Sequence, residues 1–121
     1  MADNRKQLGA FGEQVAKNHL EKHGYEIVQC NYRCPIGEID IVARDGDYLV
    51  FVEVRTKKDR KFGTPEESIT LAKKTKLVEL AETYLQEHQD SPELWRIDVV
   101  AVEVTGVDRI SRIELVKNAI D

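Results

Sequence analysis

Cysteines, long apolar runs and repeats are scarce or missing in this chain of 121 residues. Its two cysteines, Cys30 and Cys34, suit a reducing compartment better than a disulfide framework. No apolar run has transmembrane length, and residues 1–6 lack the apolar region of a secretory signal. We see no linker or low-complexity segment. The sequence therefore predicts a cytoplasmic protein without a membrane segment and with one domain, residues 1–121.

A general excess of basic charge is also missing, because the formal net charge is −4. This argues against a globally basic nucleic-acid binder. Residues 55–76 nevertheless carry eight basic and three acidic side chains, a local charge of +5, which leaves −9 for the rest of the chain. Such a run is usually a solvated surface, but beside a metal site it favours phosphate binding. The basic residues that we predict to contact nucleic acid are Arg55, Lys57, Lys58, Lys61, Lys73 and Lys74.

Hydrophobic periodicity divides the chain into seven elements. Apolar residues at helical spacing predict one helix over residues 4–23 and a second ending near residue 88. Thr64 and Glu67 fit a capping box before this second helix, and Thr70 is another candidate cap. Apolar runs predict strands over 25–32, 96–104 and 110–116, and a hairpin around Asp45-Gly46. The order α-β-β-β-α-β-β predicts an α/β fold with a mixed sheet flanked by helices.

Carboxylates interrupt the two apolar runs of the predicted hairpin. Glu38 and Asp40 lie at the start of the first run, and Glu53 lies near the end of the second. Burying an ionised carboxylate without a partner is costly, so each needs a bound cation, an ion pair or a strand end that reaches water. A divalent cation shared by Asp40 and Glu53 is one such explanation.

The turn chemistry of the hairpin predicts how these acids face each other. A two-residue loop at Asp45-Gly46 pairs Arg44 with Asp47. Counting outward, Glu38 then falls opposite Glu53, and Asp40 falls opposite Phe51. The four side chains predicted to project from one face are Glu38, Asp40, Glu53 and Arg55. A three-residue turn without a compensating bulge would instead separate Asp40 and Glu53 onto opposite faces.

Short motifs are spread over nearly the whole chain. They are Gly12-Glu13, Gly24-Tyr25, Asn31-Tyr32-Arg33, Gly37-Glu38-Ile39-Asp40, Val52-Glu53-Val54-Arg55, Phe62-Gly63 with Pro65, Lys73, and Arg96-Ile97-Asp98-Val99-Val100. In this combination the chain closely resembles the YraN family of bacterial proteins. The resemblance implies a three-layer, restriction-endonuclease-like core, similar to that of archaeal Holliday-junction resolvases.

The resemblance also implies a PD-(D/E)XK nuclease site. Asp40 matches its first acid, with Ile39 in the place of the proline, and Glu53 matches its second acid. Glu13 matches an additional acid that resolvases carry on a helix. Asp40 and Glu53 would then bind Mg²⁺ or Mn²⁺, which prefer carboxylate and water ligands. The implied catalytic residues are Glu13, Asp40, Glu53 and Arg55.

Arg55 departs from the pattern, which usually has lysine at this position. An arginine can neutralise a phosphate, but it cannot lose a proton to act as a base. Lys57, two residues along the strand, or Lys73 on the second helix could supply the missing ammonium group.

Three functions remain open at this point. The first is a metal-dependent endonuclease that acts on DNA, branched or damaged, as a homodimer that cuts two strands symmetrically. The second is a nucleic-acid-binding module that keeps the fold and the acids but cuts slowly or never. The third is a protein-interaction scaffold in which the acids are remnants.

Two further groups of residues resemble functional sites, but a structural role explains them better. Asp98, beside Arg96, is predicted to be structural, with a role as a further acid of the site as the alternative. His19, His23, Cys30 and Cys34 have the residue types of a zinc site, but the two cysteines would lie about 13 Å apart in an extended chain, which disfavours one.

Overall fold

A computed structural model describes residues 4–58, 63–106 and 109–120 of the protein. Lys61, predicted to contact nucleic acid, lies outside these ranges. The elements are α1 (Asn4–Lys22), β1 (Glu26–Cys34), β2 (Gly37–Asp45), β3 (Tyr48–Lys57), a 3₁₀ helix (Glu66–Ser68), α2 (Leu71–Glu87), β4 (Trp95–Thr105) and β5 (Arg109–Val116). The predicted order of helices and strands is confirmed.

The five strands form one mixed sheet in the order β1-β2-β3-β4-β5. Neighbouring strands are antiparallel except β3 and β4, which are parallel. A parallel pair needs a crossover connection, and here α2 provides it. Among the described residues, neither helix combines the length and the apolar composition that crossing a bilayer would need.

The two helices cover opposite faces of the sheet. On one face α1 contributes Ala16 and Leu20 to a core that contains Val50 and Val52 of β3. On the other face α2 packs around Phe51, the residue between those two valines. This follows from strand geometry, because successive side chains of a strand point to opposite faces. The predicted three-layer α/β arrangement is thereby confirmed.

The N-terminus of α2 is capped as its sequence predicts. Thr70 lies in extended backbone, and its Oγ1 accepts a hydrogen bond from the backbone N–H of Lys73 at 3.1 Å. The Thr64–Glu67 capping box also forms, since Glu67 N donates to Thr64 Oγ1 and Thr64 N donates to Glu67 Oε1. It caps the short 3₁₀ helix rather than α2. Thr70 therefore determines where α2 begins, and with it the position of Lys73.

The register of the β2–β3 hairpin differs from the prediction. Asp45 pairs with Tyr48 and Ile41 pairs with Val52, so the two-residue loop is Gly46-Asp47. Gly46 has a φ of 60°, the left-handed conformation that such a turn requires. Asp45 stays in the strand, where its Oδ2 accepts a 2.6 Å hydrogen bond from Arg96. The predicted pairing of Asp40 with Phe51 is therefore wrong, by two residues.

Close packing of α1 on β3 depends on Gly12. A Cβ added to Gly12 would overlap the Thr56 hydroxyl and lie 2.9 Å from Thr56 Cβ. We expect Gly12→Ala to lower the free energy of unfolding by about 2–3 kcal/mol, because this overlap outweighs the better helix propensity of alanine. Urea denaturation measures the change.

Gly9 offers the matched control on the same helix. A Cβ at Gly9 meets nothing within 4 Å. Gly9→Ala should therefore stabilise the protein by up to about 1 kcal/mol through helix propensity alone. If both alanine variants changed stability in the same direction by similar amounts, close approach at Gly12 would not be what α1 packing requires.

Candidate metal centre

β2 and β3 separate at Asp40. Their hydrogen-bonded ladder begins at Ile41 and Val52, and beyond it Asp40 Oδ2 accepts a 2.8 Å hydrogen bond from the backbone N–H of Val54. The alternation of β2 also breaks here, because Ile41 packs on the α1 side of the sheet whereas Ile39 packs on the α2 side. The strand therefore turns at Asp40 and directs its carboxylate toward β3.

The break in alternation places the predicted acids on two sides of the sheet. Ile39 faces α2, so its neighbour Glu38 faces α1. Val52 and Val54 face α1, so Glu53 and Arg55 face α2. The prediction that these acids share one face is therefore wrong.

Three carboxylates meet at the α1 side of this gap. One oxygen each from Glu13, Glu38 and Asp40 lies within 4.8 Å of the others, a separation that a single cation could bridge. Glu13 comes from α1, immediately after Gly12. All three side chains are half-buried. The structure thus brings together two of the residues implied to be catalytic, Glu13 and Asp40, and adds Glu38.

Glu53 lies beneath this group and is only 4% exposed. Its Oε2 is 3.5 Å from Arg55 Nε and 3.5 Å from Lys73 Nζ, so two basic side chains neutralise its negative charge. Arg55 Nε is buried and has no hydrogen-bond acceptor within the described part of the chain. The charge of Glu53 acts on Asp40, whose carboxyl pKa it raises. Glu53 is not among the three acids whose oxygens lie within 4.8 Å of one another, so the shared binding of a cation by Asp40 and Glu53 stays a prediction.

Burial and neighbouring acids raise the pKa of Asp40 to about 8. Loss of hydration is the largest cause, followed by the charges of Glu53 and Glu13, while the Val54 N–H acts in the opposite direction. Burial also raises the pKa of Glu13 above its usual range, and the charges of Glu38 and Glu53 add to this effect. Carboxyl groups that hold protons near neutral pH are typical of metal-binding and catalytic sites.

These shifts predict how stability depends on pH when divalent metal is chelated. The folded protein binds the Asp40 proton more tightly than the unfolded chain does, so stability falls as pH rises from about 4 to about 8. Asp40→Asn removes this penalty. We expect the variant to exceed the wild type by about 1–2 kcal/mol at pH 8 and to match it near pH 4, as measured by urea denaturation.

Asp47→Asn is the control, because Asp47 is an exposed acid in the turn of the same hairpin. It should change stability equally at both pH values. An Asp40→Asn variant that is less stable than the wild type at pH 8 would contradict the conclusion that burial and the charges of Glu53 and Glu13 destabilise the ionised Asp40 carboxylate.

Asn31 belongs to the site. It lies in the motif Asn31-Tyr32-Arg33, but it is not among the predicted site residues. Its side-chain amide nitrogen, oriented by the acceptors around it, donates to Glu13 Oε1 at 3.1 Å and to Glu38 Oε1 at 2.7 Å. Its backbone is left-handed, with a φ of 55°. Asparagine tolerates this conformation better than most residues, but the sequence of β1 does not indicate that one is needed there.

An open cleft of about 550 Å³ lies over the carboxylates. Its lining includes Glu13, Glu38 and Asp40 together with the basic residues Arg5, Arg55 and Lys57. Lys58 follows β3 and is exposed. Lys74 lines a different groove, with Val99, Val116 and Ile120. Of the basic residues predicted to bind nucleic acid, Arg55, Lys57 and Lys73 are therefore near the acids, and Lys74 faces elsewhere.

Asp98 of β4, which pairs with Val52 of β3, is held in a buried network. It is fully buried and accepts hydrogen bonds from Tyr25 Oη, Arg96 and the backbone N–H of Asn118. The network links the start of β1, the start of β4 and the C-terminal segment, which agrees with the structural role predicted for Asp98. Cys30 and Cys34 are both free thiols.

The comparisons with known proteins agree on one family. Residues 12–102 match the family described as Uncharacterised protein family UPF0102. A UPF0102 protein of Dehalococcoides mccartyi is 49% identical over 120 residues, which cover 99% of this chain and 98% of that protein. A UPF0102 protein of Chloroflexus aurantiacus is 50% identical over 108 residues, 88% of this chain and 87% of that protein. The chain therefore belongs to UPF0102, the YraN family that its motifs resemble.

Proposed function

We propose that this protein is a metal-dependent endonuclease that hydrolyses phosphodiester bonds in DNA. The observation that carries the proposal is the meeting of Glu13, Glu38 and Asp40 within 4.8 Å beneath an open cleft with a basic rim. Acidic oxygens at this spacing suit a divalent cation, and basic side chains beside them suit a phosphate. The restriction-endonuclease-like fold implied by the YraN motifs adds support by analogy.

The donor set fits Mg²⁺ or Mn²⁺. Both ions prefer carboxylate and water oxygens, and Glu13, Glu38 and Asp40 offer carboxylates from α1 and β2. When bound, such an ion activates a water molecule and offsets phosphate charge. The backbone N–H of Val54 supports the position of the Asp40 carboxylate, and the nearly buried Glu53 adds negative charge beside it.

Arg55 and Lys73 provide positive charge at the site. Lys73 Nζ is held 3.5 Å from Glu53, where its ammonium group stands in for the lysine that Arg55 replaces on β3. Arg55 lines the cleft, and its Nε lies 3.5 Å from Glu53 Oε2. Both groups can stabilise the negative charge that builds up on a phosphate during hydrolysis. Arg55 stays charged throughout, so it does not act as the base.

Cleavage of labelled DNA tests the proposal. Purified protein with Mn²⁺ is incubated with duplex, single-stranded and four-way DNA, and products are separated on denaturing gels. We expect metal-dependent cleavage of at least one substrate and none with EDTA. Intact DNA in all three samples, with Mn²⁺ shown by calorimetry to be bound, would reject the enzyme.

A nucleic-acid-binding module that does not cut is the second candidate, favoured by arginine at position 55. It predicts that the protein binds Mn²⁺ and retards DNA on a native gel but leaves it intact. Symmetric cleavage of four-way DNA would need two active sites, so the nuclease proposal includes a homodimer, which light scattering measures.

A further inference from the structure

Asn31 has an unusual backbone conformation for a residue within a strand. Its φ is 55°, in the left-handed region, yet it lies inside β1 rather than in a turn. Its neighbours Cys30 and Tyr32 both pair with β2, opposite Ile41 and Ile39. Left-handed backbone disfavours most side chains, although asparagine is among the residues that adopt it. The position therefore calls for an explanation beyond strand pairing.

The Asn31 amide joins two acids that come from different elements. With the amide oriented so that its nitrogen faces these acceptors, that nitrogen donates one hydrogen bond to Glu13 of α1, at 3.1 Å, and another to Glu38 of β2, at 2.7 Å. Glu38 is further restrained by Arg33 Nε, 3.2 Å from its Oε2. One amide group can use both of its hydrogens in this way, and no single-donor side chain could replace it.

We propose that Asn31 is a positioning residue that holds the Glu13 and Glu38 carboxylates at the separation required for one divalent cation. The inference rests on the proposed metal site. Without a cation, the two negative groups repel each other, and a donor shared between them offsets that repulsion. Partners that orient ligands in this way are part of metal sites, and their loss typically weakens metal binding by about 10–100-fold.

The competing explanation is that Asn31 is present for its backbone alone. Glycine adopts left-handed backbone at no steric cost. Asn31→Gly therefore keeps the conformation and removes only the amide. If the backbone were the whole reason for asparagine, the glycine variant would bind metal as well as the wild type.

Calorimetric titration with Mn²⁺ tests the role of the amide. Relative to the wild type, Asn31→Gly should bind Mn²⁺ about 10–100-fold more weakly. Asn118→Gly is the matched control, because Asn118 is also left-handed, with a φ of 51°, and lies beside Asp98. Its affinity for Mn²⁺ should equal that of the wild type.

A double-mutant cycle tests whether Asn31 acts through Glu13. In a Glu13→Gln background the Asn31→Gly substitution should weaken Mn²⁺ binding much less than it does in the wild type, because one of the two restrained ligands is already lost. If Asn31→Gly weakened Mn²⁺ binding as much in the Glu13→Gln background as in the wild type, Asn31 would not act through Glu13.

Asn31→Asp provides a second readout that does not depend on metal. The new side chain has the same shape and also tolerates left-handed backbone, but it adds a fourth carboxylate to the group formed by Glu13, Glu38 and Asp40. In EDTA at pH 8 its melting temperature should be several degrees below that of the wild type, and an unchanged value would overturn the assigned contacts.

The outcomes separate this inference from the proposed function. If the wild type binds no Mn²⁺, both are wrong. If the wild type binds Mn²⁺ and Asn31→Gly binds it equally well, the metal site stands and only the role of Asn31 is rejected.

Discussion

In the Asp40→Asn variant, Mn²⁺ affinity should fall by about 100-fold or more and DNA cleavage should fall to background. Asp40 has an oxygen within 4.8 Å of both Glu13 and Glu38, and the charge of Glu53 raises its pKa. Asparagine has nearly the same shape and can still accept the Val54 hydrogen bond, but it carries no charge to attract a divalent cation. Calorimetry measures the affinity, and labelled four-way and duplex DNA report the activity.

The pH effect predicted above makes this experiment decisive. Since Asp40→Asn should be more stable than the wild type at pH 8, loss of binding at that pH cannot be attributed to unfolding. Asp47→Asn, the exposed control, should retain both metal affinity and activity. Affinity within a few-fold of the wild-type value in Asp40→Asn would mean that the cation, if one binds, binds elsewhere.

Replacement of Lys73 should separate catalysis from metal binding. We expect Lys73→Met to reduce cleavage by about 100–1,000-fold, the typical cost of removing one charge-stabilising donor from an active site. Mn²⁺ affinity should change by less than about 10-fold, because Lys73 contacts Glu53 rather than the three-carboxylate group. Single-turnover cleavage at saturating Mn²⁺ measures the rate.

Lys74 is the matched control on the same helix. It lines the groove with Val116 and Ile120, so Lys74→Met should leave the cleavage rate within about 3-fold of the wild-type value. Arg55→Lys, combined with Lys73→Met, should recover part of the lost activity by returning an ammonium group to β3. A fully active Lys73→Met variant would show that Lys73 only neutralises Glu53.

Local patterns in the sequence were sufficient to predict most of the fold. Thr70 was a candidate cap because its hydroxyl can accept a backbone N–H, and α2 begins there. The helix predicted for residues 4–23 ends before Gly24, whose φ of 86° few other residues adopt. These signals act over a few residues, so they can be read without knowing the rest of the structure.

The hairpin shows where local reasoning failed. Asp-Gly is a common turn pair, and the prediction placed both residues in the loop. In the structure Asp45 remains in β2, where Arg96 of β4 bonds to it. That contact joins residues 51 positions apart, and no property of the hairpin sequence reports it. The resulting two-residue shift preserves the alternation of faces near the turn.

By itself, the sequence determined the order of the elements and the fact that Asp40 and Glu53 interrupt apolar strands. Periodicity and turn chemistry encode these properties locally. Only the tertiary structure decided which carboxylates meet. The turn of β2 at Asp40 moves Glu38 to the α1 side, and Gly12 lets α1 bring Glu13 to it. Such contacts depend on ångström-scale approach between elements distant in sequence, and hydrophobic pattern does not specify that approach.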